Sequence, residues 1–274
     1  LAMGKGIAWQ AMHNNPVSNA FIVHDLKVIS ETAERLGKKA DADRYRRQLE
    51  ATTKAYIEKF VSKKGIVAKD YQSAYIMALK FVLPEGELRE LVKKNFAANI
   101  RKNGLQTGFF ATEHLLPLLV EAGETELAYD ILLQEGCPGW MYQIKCGATT
   151  TWERWDALKP DGTVNEEKMA GSGDNMVSFN HYAFGSVGEF YYQYILGIKP
   201  QKPGFAELHF EPYPDRRLGG VSGSYLSRAG KIESSWKYEE DGCHISLNTP
   251  VKSEVVLPNG QRETVEEGTY QWLC

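Results

Sequence analysis

The chain has 274 residues and a formal net charge of −3, with 43% of its residues hydrophobic and 24% charged. This length allows one large or two medium domains, and the composition is ordinary for a globular protein. The near-neutral charge without a basic cluster excludes a typical nucleic-acid-binding face, and no apolar run is long enough for a membrane span.

The first part of the chain predicts amphipathic helices of similar length joined by short turns. Asn15 and Pro16 form a helix-start signal, and apolar residues then recur at three- and four-residue spacing. This face of the first helix consists of Ile22, Leu26, Ile29, Ala33 and Leu36. Six helices are predicted here, over about 16–36, 41–60, 71–83, 88–103, 108–120 and 125–134. Because no strand pattern interrupts them, they indicate antiparallel helical hairpins in a bundle or an α/α toroid.

A long connection, residues 135–180, separates the sixth helix from a seventh that extends to Ile195. A structureless segment of this length inside a compact domain is usually functional. It contains Trp152-Glu153-Arg154-Trp155-Asp156. Since a Trp ring favours burial and its N–H needs a partner, two tryptophans flanking a carboxylate fit the floor and wall of a sugar pocket. The alternative is an aromatic core segment with a solvated Glu–Arg pair, and the residues alone leave both open.

Several prolines beyond Gly197 mark a linker. After this linker, apolar residues recur at every second position. Strands are predicted over about 206–211, 223–228, 231–238, 243–249 and 253–257. Asp241-Gly242 and Asn259-Gly260 are hairpin signals. These features predict a small all-β domain of sandwich type, over 199–274, after a helical domain over 1–198. Because it shows few exposed aromatic residues, we expect it to be structural rather than a separate sugar-binding module.

Two long motifs resemble the bacterial α-L-rhamnosidases of glycoside hydrolase family 78. The first begins at Gly147-Ala148-Thr149-Thr150 and continues from Trp152 to Asp156, and the second runs from Ser178 to Glu189. The resemblance extends over most of the chain and includes the β-domain. It implies part of an (α/α)6 toroid followed by a β-sandwich, and a hydrolase that cleaves terminal α-L-rhamnose with inversion. The implied partner is a rhamnose-containing oligosaccharide or glycoside, and no cofactor or metal is expected.

The resemblance also assigns roles to individual residues. Glu153 takes the position of the general base, the carboxylate that activates a water molecule in an inverting glycosidase. His181 matches a residue that hydrogen-bonds the sugar hydroxyls. Trp9 matches a sugar-contacting tryptophan, although Ala8 stands where the family usually has an acidic residue. Trp152 and Trp155 flank the base as candidate walls of the pocket, with one of the two expected in the core.

Structural roles are the simpler interpretation of the other polar residues near the base. Arg154 is expected to pair with Asp156 or another carboxylate rather than to assist catalysis. Asp156 and Glu189 are expected to cap or support neighbouring groups. The polar loop 161–174 either shapes the aglycone side of the site or is an ordinary surface loop. Four cysteines without a CxxC pair do not predict a metal site.

The sequence lacks a match to the family's general acid. It also predicts about seven helices, whereas a toroid of six hairpins requires twelve helices. We therefore expect a fragment that is inactive alone. We expect its open apolar faces to be covered by self-association, by exchange of elements between copies, or by closure that differs from a full toroid. One alternative is a non-catalytic carbohydrate-binding or scaffold protein with a degenerate pocket. Another is a different α/α-toroid glycosidase or a glycoside phosphorylase, although no phosphate site is visible. The exact sugar, the linkage, the aglycone and the compartment, bacterial cytoplasm or periplasm, stay open.

Overall fold

The computed structural model describes residues 14–167 and 177–274 of the chain. It separates into two compact units, Leu1–Ala183 and Phe184–Cys274. The first unit is helical. The second begins with a short helical segment and is otherwise made of strands. The domain boundary near residue 198 stays a prediction.

The described part of the helical unit contains seven α-helices. They are α1 (Pro16–Arg35), α2 (Lys39–Phe60), α3 (Gln72–Met77), α4 (Glu87–Asn103), α5 (Phe109–Glu121), α6 (Thr125–Leu133) and α7 (Trp140–Lys145). A π-helical turn, Ala78–Val82, continues α3. The six predicted helices are confirmed, whereas the six-residue α7 lies in the predicted connection and is too short to show a helical period. None of the described helices combines the length and apolar character needed to cross a membrane.

The start of α1 shows how local sequence sets these elements. The Oδ1 atom of Asn15 accepts hydrogen bonds from the backbone N–H groups of Val17, at 2.9 Å, and Ser18, at 3.2 Å. Pro16 follows at the first helical position, where a missing N–H costs nothing. At the other end, Gly37 takes the left-handed conformation with φ of 71°, which most other residues adopt only with strain. The sequence signals at both ends of α1 are therefore confirmed.

The predicted apolar face of α1 is divided between core and surface. Of this face, Ala33 is buried and Leu26 is half-buried, while Ile22, Ile29 and Leu36 are 49%, 42% and 66% exposed. The buried Val23 lies outside the predicted face. The exposed three lie seven residues apart, so they form one stripe along the helix, which we call the α1 stripe. The helix thus packs on its own unit through other residues, including Phe21 and His24, which contact the ring of Phe81. It leaves the larger apolar side chains of the α1 stripe exposed in the described structure.

A buried glutamine fixes the loop between α4 and α5. The Nε2 atom of Gln72 donates to the carbonyl oxygen of Gly104 at 2.8 Å and to Oδ1 of Asn99 at 3.2 Å. Its Oε1 atom accepts the backbone N–H of Gln106 at 2.8 Å. Gln72 and Asn99 are both at least nine-tenths buried, so these bonds satisfy groups that water cannot reach. The loop therefore has a defined path as it delivers Thr107 to the neighbourhood described below.

The second unit begins with the predicted seventh helix, which is irregular. A 3-10 turn (Ala183–Ser186) leads into α8 (Val187–Phe190) and a π-helical turn (Tyr191–Ile195). Trp236, buried in the strand region, donates its indole N–H to the carbonyl oxygen of Ile195 at 2.7 Å. This bond ties the end of the helical segment to the sheet within the same unit.

Eight strands form two four-stranded sheets in the described part of this unit. They are β1 (Ile198–Pro200), β2 (Leu208–Phe210), β3 (Gly220–Ser227), β4 (Gly230–Glu239), β5 (Gly242–Thr249), β6 (Ser253–Val256), β7 (Arg262–Val265) and β8 (Gly268–Leu273). The sheet orders are β1-β2-β6-β7 and β3-β4-β5-β8, and only the β2–β6 pair is parallel among them. The five predicted strands are confirmed, and β1, β7 and β8 were not predicted.

The β4–β5 hairpin lies one residue earlier than its sequence signal suggests. Glu239 pairs with Gly242, so the two loop residues are Glu240 and Asp241. Gly242, with φ of 146°, begins β5 instead of closing the turn. A Cβ atom there would lie 2.8 Å from the carbonyl oxygen of Cys274. Glycine is thus required by its backbone angle and by the closeness of the neighbouring strand.

Gly197 offers a test of the packing where the helical segment meets β1. Its φ is 75°, and an added Cβ would lie 2.4 Å from the backbone nitrogen of Pro212. We predict that Gly197→Ala lowers the free energy of unfolding by about 2–4 kcal/mol, because strain and overlap add. Gly260→Ala, with φ of 86° and open space around it, should cost only about 1–2 kcal/mol. Urea unfolding measures both, and equal losses would contradict the close packing at Gly197.

Candidate active site

Two segments that are far apart in sequence run side by side in the helical unit. They are residues 150–153, which we call the base segment, and residues 178–181, which we call the histidine segment. The backbone N–H of His181 donates to the carbonyl oxygen of Thr151 at 2.8 Å. In return, the Thr151 hydroxyl donates to the carbonyl oxygen of His181 at 2.6 Å. The two motifs recognised in the sequence therefore form one local structure.

A second reciprocal pair holds Glu153, two residues further along the base segment. The backbone N–H of Glu153 donates to the carbonyl oxygen of Ser178 at 2.9 Å. The backbone N–H of Ser178 donates to Oε2 of Glu153 at 3.0 Å. The glutamate is only 4% exposed, and no hydrogen bond among the described residues reaches its other oxygen, Oε1. The carboxylate is thus oriented by the main chain through one oxygen.

His181 is held by its neighbours, and its Nε2 atom has no hydrogen-bond partner among the described residues. Its Nδ1 accepts the backbone N–H of Ala183 at 3.3 Å, which assigns the proton of the neutral ring to Nε2. The ring lies between those of Phe109, at 4.7 Å, and Tyr182, at 5.2 Å, and is nearly parallel to both. Stacking on two sides restricts rotation of the ring. The half-buried imidazole can therefore donate from Nε2 to an oxygen of a bound molecule.

Trp152 lies in the core next to the base segment. It is 2% exposed and packs with Tyr142 and Ala157. The ring of Phe179 meets the Trp152 ring edge to face at 5.4 Å. The backbone N–H of Trp152 donates to Oε1 of Gln143 at 3.2 Å. In this arrangement Trp152 packs in the core beside the base segment and presents almost no surface to a ligand.

Trp155 connects the base motif to the loop that Gln72 fixes. Its indole N–H donates to the carbonyl oxygen of Thr107 at 2.9 Å, and its ring meets that of Trp140 edge to face at 5.0 Å. The side chain is 9% exposed, so it too is largely enclosed. Trp9, the remaining predicted sugar contact, lies outside the described residues.

Arg154 is committed to a neighbouring carboxylate. Its Nε and Nη2 atoms donate to the two oxygens of Asp156 at 2.7 and 2.9 Å, and Nη1 donates to the carbonyl oxygen of Glu167 at 2.7 Å. The hydrogen bonds between the two side chains raise the pKa of Arg154 and lower that of Asp156. Asn165 adds a further bond to Asp156 at 2.8 Å. This is the structural pair expected from the sequence. Its bonds connect residues 157–167 to the base motif.

One group of described side chains has the spacing of metal ligands, and it lies in the β-unit. Glu239, Asp241 and His244 are exposed at the β4–β5 hairpin. His244 is already paired with Asp241, at 2.7 Å, and this pair raises the pKa of the imidazole. An exposed His–Asp pair at a hairpin is explained by its own contacts, so we assign no metal to it.

Several contributors to the site were not predicted from the sequence. Ser178 acts through its backbone N–H, which no residue type reveals. Thr151 lies within the first motif and Phe109 begins α5, but their roles depend on the pairing of distant parts of the chain. Gln143, buried behind Trp152, belongs to the unpredicted helix α7.

Comparison with protein families connects this geometry to known proteins. Residues 8–195 match the family model of the bacterial alpha-L-rhamnosidase 6 hairpin glycosidase domain. Residues 197–271 match that of the bacterial alpha-L-rhamnosidase C-terminal domain. The expected fold, part of a six-hairpin toroid followed by a β-sandwich, is thereby confirmed.

Individual relatives agree with the family match. An alpha-L-rhamnosidase of Alteromonas sp. (strain LOR) is 35% identical over 263 residues, which cover 94% of this chain and 28% of the relative. One from Streptomyces avermitilis is 33% identical over 260 residues, covering 93% of this chain and 24% of the relative. The chain thus spans only about a quarter of the length of these curated relatives.

Solved structures show the same similarity. The crystal structure of native alfa-L-rhamnosidase from Aspergillus terreus superposes with a TM-score of 0.85 at 30% identity, covering 94% of this chain and 30% of that one. The Streptomyces avermitilis alpha-L-rhamnosidase complexed with L-rhamnose superposes with a TM-score of 0.83 at 31% identity, covering 93% of this chain and 26% of that one.

The pair of Arg154 and Asp156 predicts a pH-dependent contribution to stability. Since the pair lowers the pKa of Asp156 below its ordinary value of 3.8, its stabilisation is complete above that range and is lost as the pH falls below it. Because the Asp156 side chain is 46% exposed, solvent screens the pair. We therefore predict that Asp156→Asn lowers the free energy of unfolding by about 0.5–1 kcal/mol at pH 7, and by less at pH 3.

Urea unfolding at both pH values measures this effect. Asp43→Asn, which breaks an exposed pair with Arg46, is the control and should change stability little at either pH. A loss for Asp156→Asn that is the same at pH 3 as at pH 7 would mean that ionisation of the carboxyl does not contribute.

Proposed function

The chain belongs to the bacterial α-L-rhamnosidase family, and from this premise we propose that it is part of an inverting glycoside hydrolase. The enzyme cleaves terminal α-L-rhamnose from a rhamnose-containing glycoside. The observation that carries the proposal is the buried Glu153, whose Oε2 is held by the Ser178 N–H while Oε1 has no described partner. Such a carboxylate can accept a proton from a water molecule placed at Oε1.

Glu153 acts as the general base in this proposal. It removes a proton from water as the water oxygen attacks the anomeric carbon from the face opposite the leaving group. The bond from that carbon to the glycosidic oxygen breaks, and the released sugar has the inverted configuration.

His181 binds the sugar. Its Nε2–H is available to a hydroxyl oxygen, while Nδ1 is occupied by Ala183 and the ring is held between two aromatic rings. This gives a donor of fixed direction, which selects the position of a hydroxyl group on the sugar. A relative crystallised with L-rhamnose supports rhamnose as the bound unit.

The general acid comes from a part of the protein outside this chain. Within the base motif the other carboxylate, Asp156, has both oxygens bonded to Arg154, so it is not positioned to protonate a leaving group. The curated relatives are about four times as long as the chain. We therefore expect the isolated chain to lack hydrolysis, since loss of a general acid removes about 10²–10⁴ of rate.

The alternative is a protein that binds a sugar without cleaving it. The engagement of both Asp156 oxygens by Arg154 favours it, because this carboxylate of the base motif is not free to act as an acid. Another toroid glycosidase with a different sugar would share the same base. Both alternatives differ from the proposed function in the reaction of the full-length gene product.

Glu153→Gln in the full-length gene product tests the base. Hydrolysis of an aryl α-L-rhamnoside should fall by about 10²–10⁴, because the amide cannot accept a proton from water. Glu167→Gln, which removes an exposed carboxylate on the neighbouring turn, should retain wild-type rate. NMR of the released sugar should show the β-anomer first. A fully active Glu153→Gln enzyme would place the base elsewhere, and an inactive wild type would favour a binding protein or another sugar.

We also propose that the isolated chain self-associates through the α1 stripe. Ile22, Ile29 and Leu36 are 42–66% exposed along one line of the helix, and apolar surface of this kind is usually covered. A second copy offers the same stripe in return, as a twofold contact requires.

Sedimentation of the isolated chain tests this association. Ile29→Lys, which places a charge within the stripe, should convert the oligomer to a monomer. Glu31→Lys, two residues on and about 200° round the helix, should leave it oligomeric. A wild-type chain that sediments as a compact monomer would contradict the proposal.

A further inference from the structure

Thr151 is connected to both residues to which the proposed function gives roles, to one by sequence and to the other by hydrogen bonds. It precedes Glu153 by two positions and pairs with His181 by two hydrogen bonds. One of the bonds uses its backbone carbonyl and survives any substitution. The other, at 2.6 Å, uses its side-chain hydroxyl and the carbonyl oxygen of His181, so only this bond depends on the residue being threonine or serine.

The hydroxyl bond acts on the part of the main chain that orients the imidazole. It fixes the carbonyl of His181, which begins the peptide leading to Tyr182. The ring is anchored further along the same stretch, by the N–H of Ala183 at 3.3 Å. Any change in the direction of the His181 carbonyl therefore moves the anchor of the ring relative to its Cα atom. The imidazole position thus depends on a hydroxyl that does not touch it.

Thr151 and Glu153 also direct their side chains toward the same neighbour. Both side chains bond to the main chain of the histidine segment, Thr151 to the carbonyl of His181 and Glu153 to the N–H of Ser178. The hydroxyl and the carboxylate therefore make two neighbouring connections between the base segment and the histidine segment.

We infer that Thr151 is a positioning residue that sets the placement of His181 relative to Glu153. The inference rests on the proposed function, because it gives the two residues a common sugar. Thr151 does not contact the reacting atoms. It fixes the position of the sugar-binding imidazole relative to the base, so that a sugar bound by His181 is placed correctly for Glu153.

A double-mutant cycle in the full-length gene product tests this coupling. Thr151→Val keeps the shape of the side chain and removes the hydroxyl, and it should raise KM by about 3–10-fold with a smaller change in kcat. Thr151→Ser should restore KM to within about 2-fold of wild type. In a His181→Ala background, Thr151→Val should add less than about 2-fold, because the residue through which it acts is gone. Additive effects would overturn the inference.

NMR of the 274-residue chain gives a readout that does not need activity. With ¹³C at the ε1 position of its 6 histidines, the signal of His181 is the one missing from His181→Ala. Thr151→Val should shift that signal alone. Thr163→Val, which removes an exposed hydroxyl bonded to Asp161, should shift none. An unmoved His181 signal, or equal shifts of all histidines, would assign Thr151 a general structural role and reject the inference.

The two experiments separate failure of this inference from failure of the proposed function. An active Glu153→Gln enzyme rejects Glu153 as the base, yet the histidine signal still reports whether Thr151 positions His181. Additive cycle effects beside an inactive Glu153→Gln enzyme reject the role of Thr151 and leave the base in place.

Discussion

The candidate site depends on the pairing of the base segment with the histidine segment. A carboxylate that is 4% exposed has little contact with bulk water, so a hydrogen bond from the protein orients it. Here the donor is the main-chain N–H of Ser178, which exists in the correct place only while the two segments run together. The same pairing brings His181 beside Thr151. The main-chain pairing therefore sets the positions of both proposed functional side chains, and their residue types set the chemistry that they can perform.

Further contacts of the helical unit hold this pair of segments from behind. Trp155 bonds to the carbonyl of Thr107, which lies in the loop that Gln72 fixes, and that loop leads directly into α5 with Phe109 at its start. Phe109 in turn stacks on the imidazole of His181. The large aromatic residues of the base motif thus act mainly as supports, which explains why they are enclosed rather than presented to a ligand.

Much of the fold follows from periodicity, since the long helices and the longer strands each bury one face at a regular spacing. The sequence did not predict α7, because six residues complete fewer than two helical turns. It also did not predict the strands β1, β7 and β8. The α1 stripe was identified as an apolar face, but spacing alone does not say what covers such a face. In the site, the residue types and the family resemblance that they carry suggested roles for Glu153 and His181. They could not reveal Ser178, whose role is carried by a backbone N–H, or the enclosure of Trp152, which depends on tertiary packing.

The central claim is that Glu153 activates the attacking water, and azide rescue of Glu153→Ala in the full-length gene product tests it most directly. Azide is a nucleophile that needs no base, so it should restore turnover of an aryl α-L-rhamnoside and yield the β-L-rhamnosyl azide. A variant that azide does not rescue, or a product that keeps the α configuration, would contradict the assignment of Glu153 as the base of an inverting reaction.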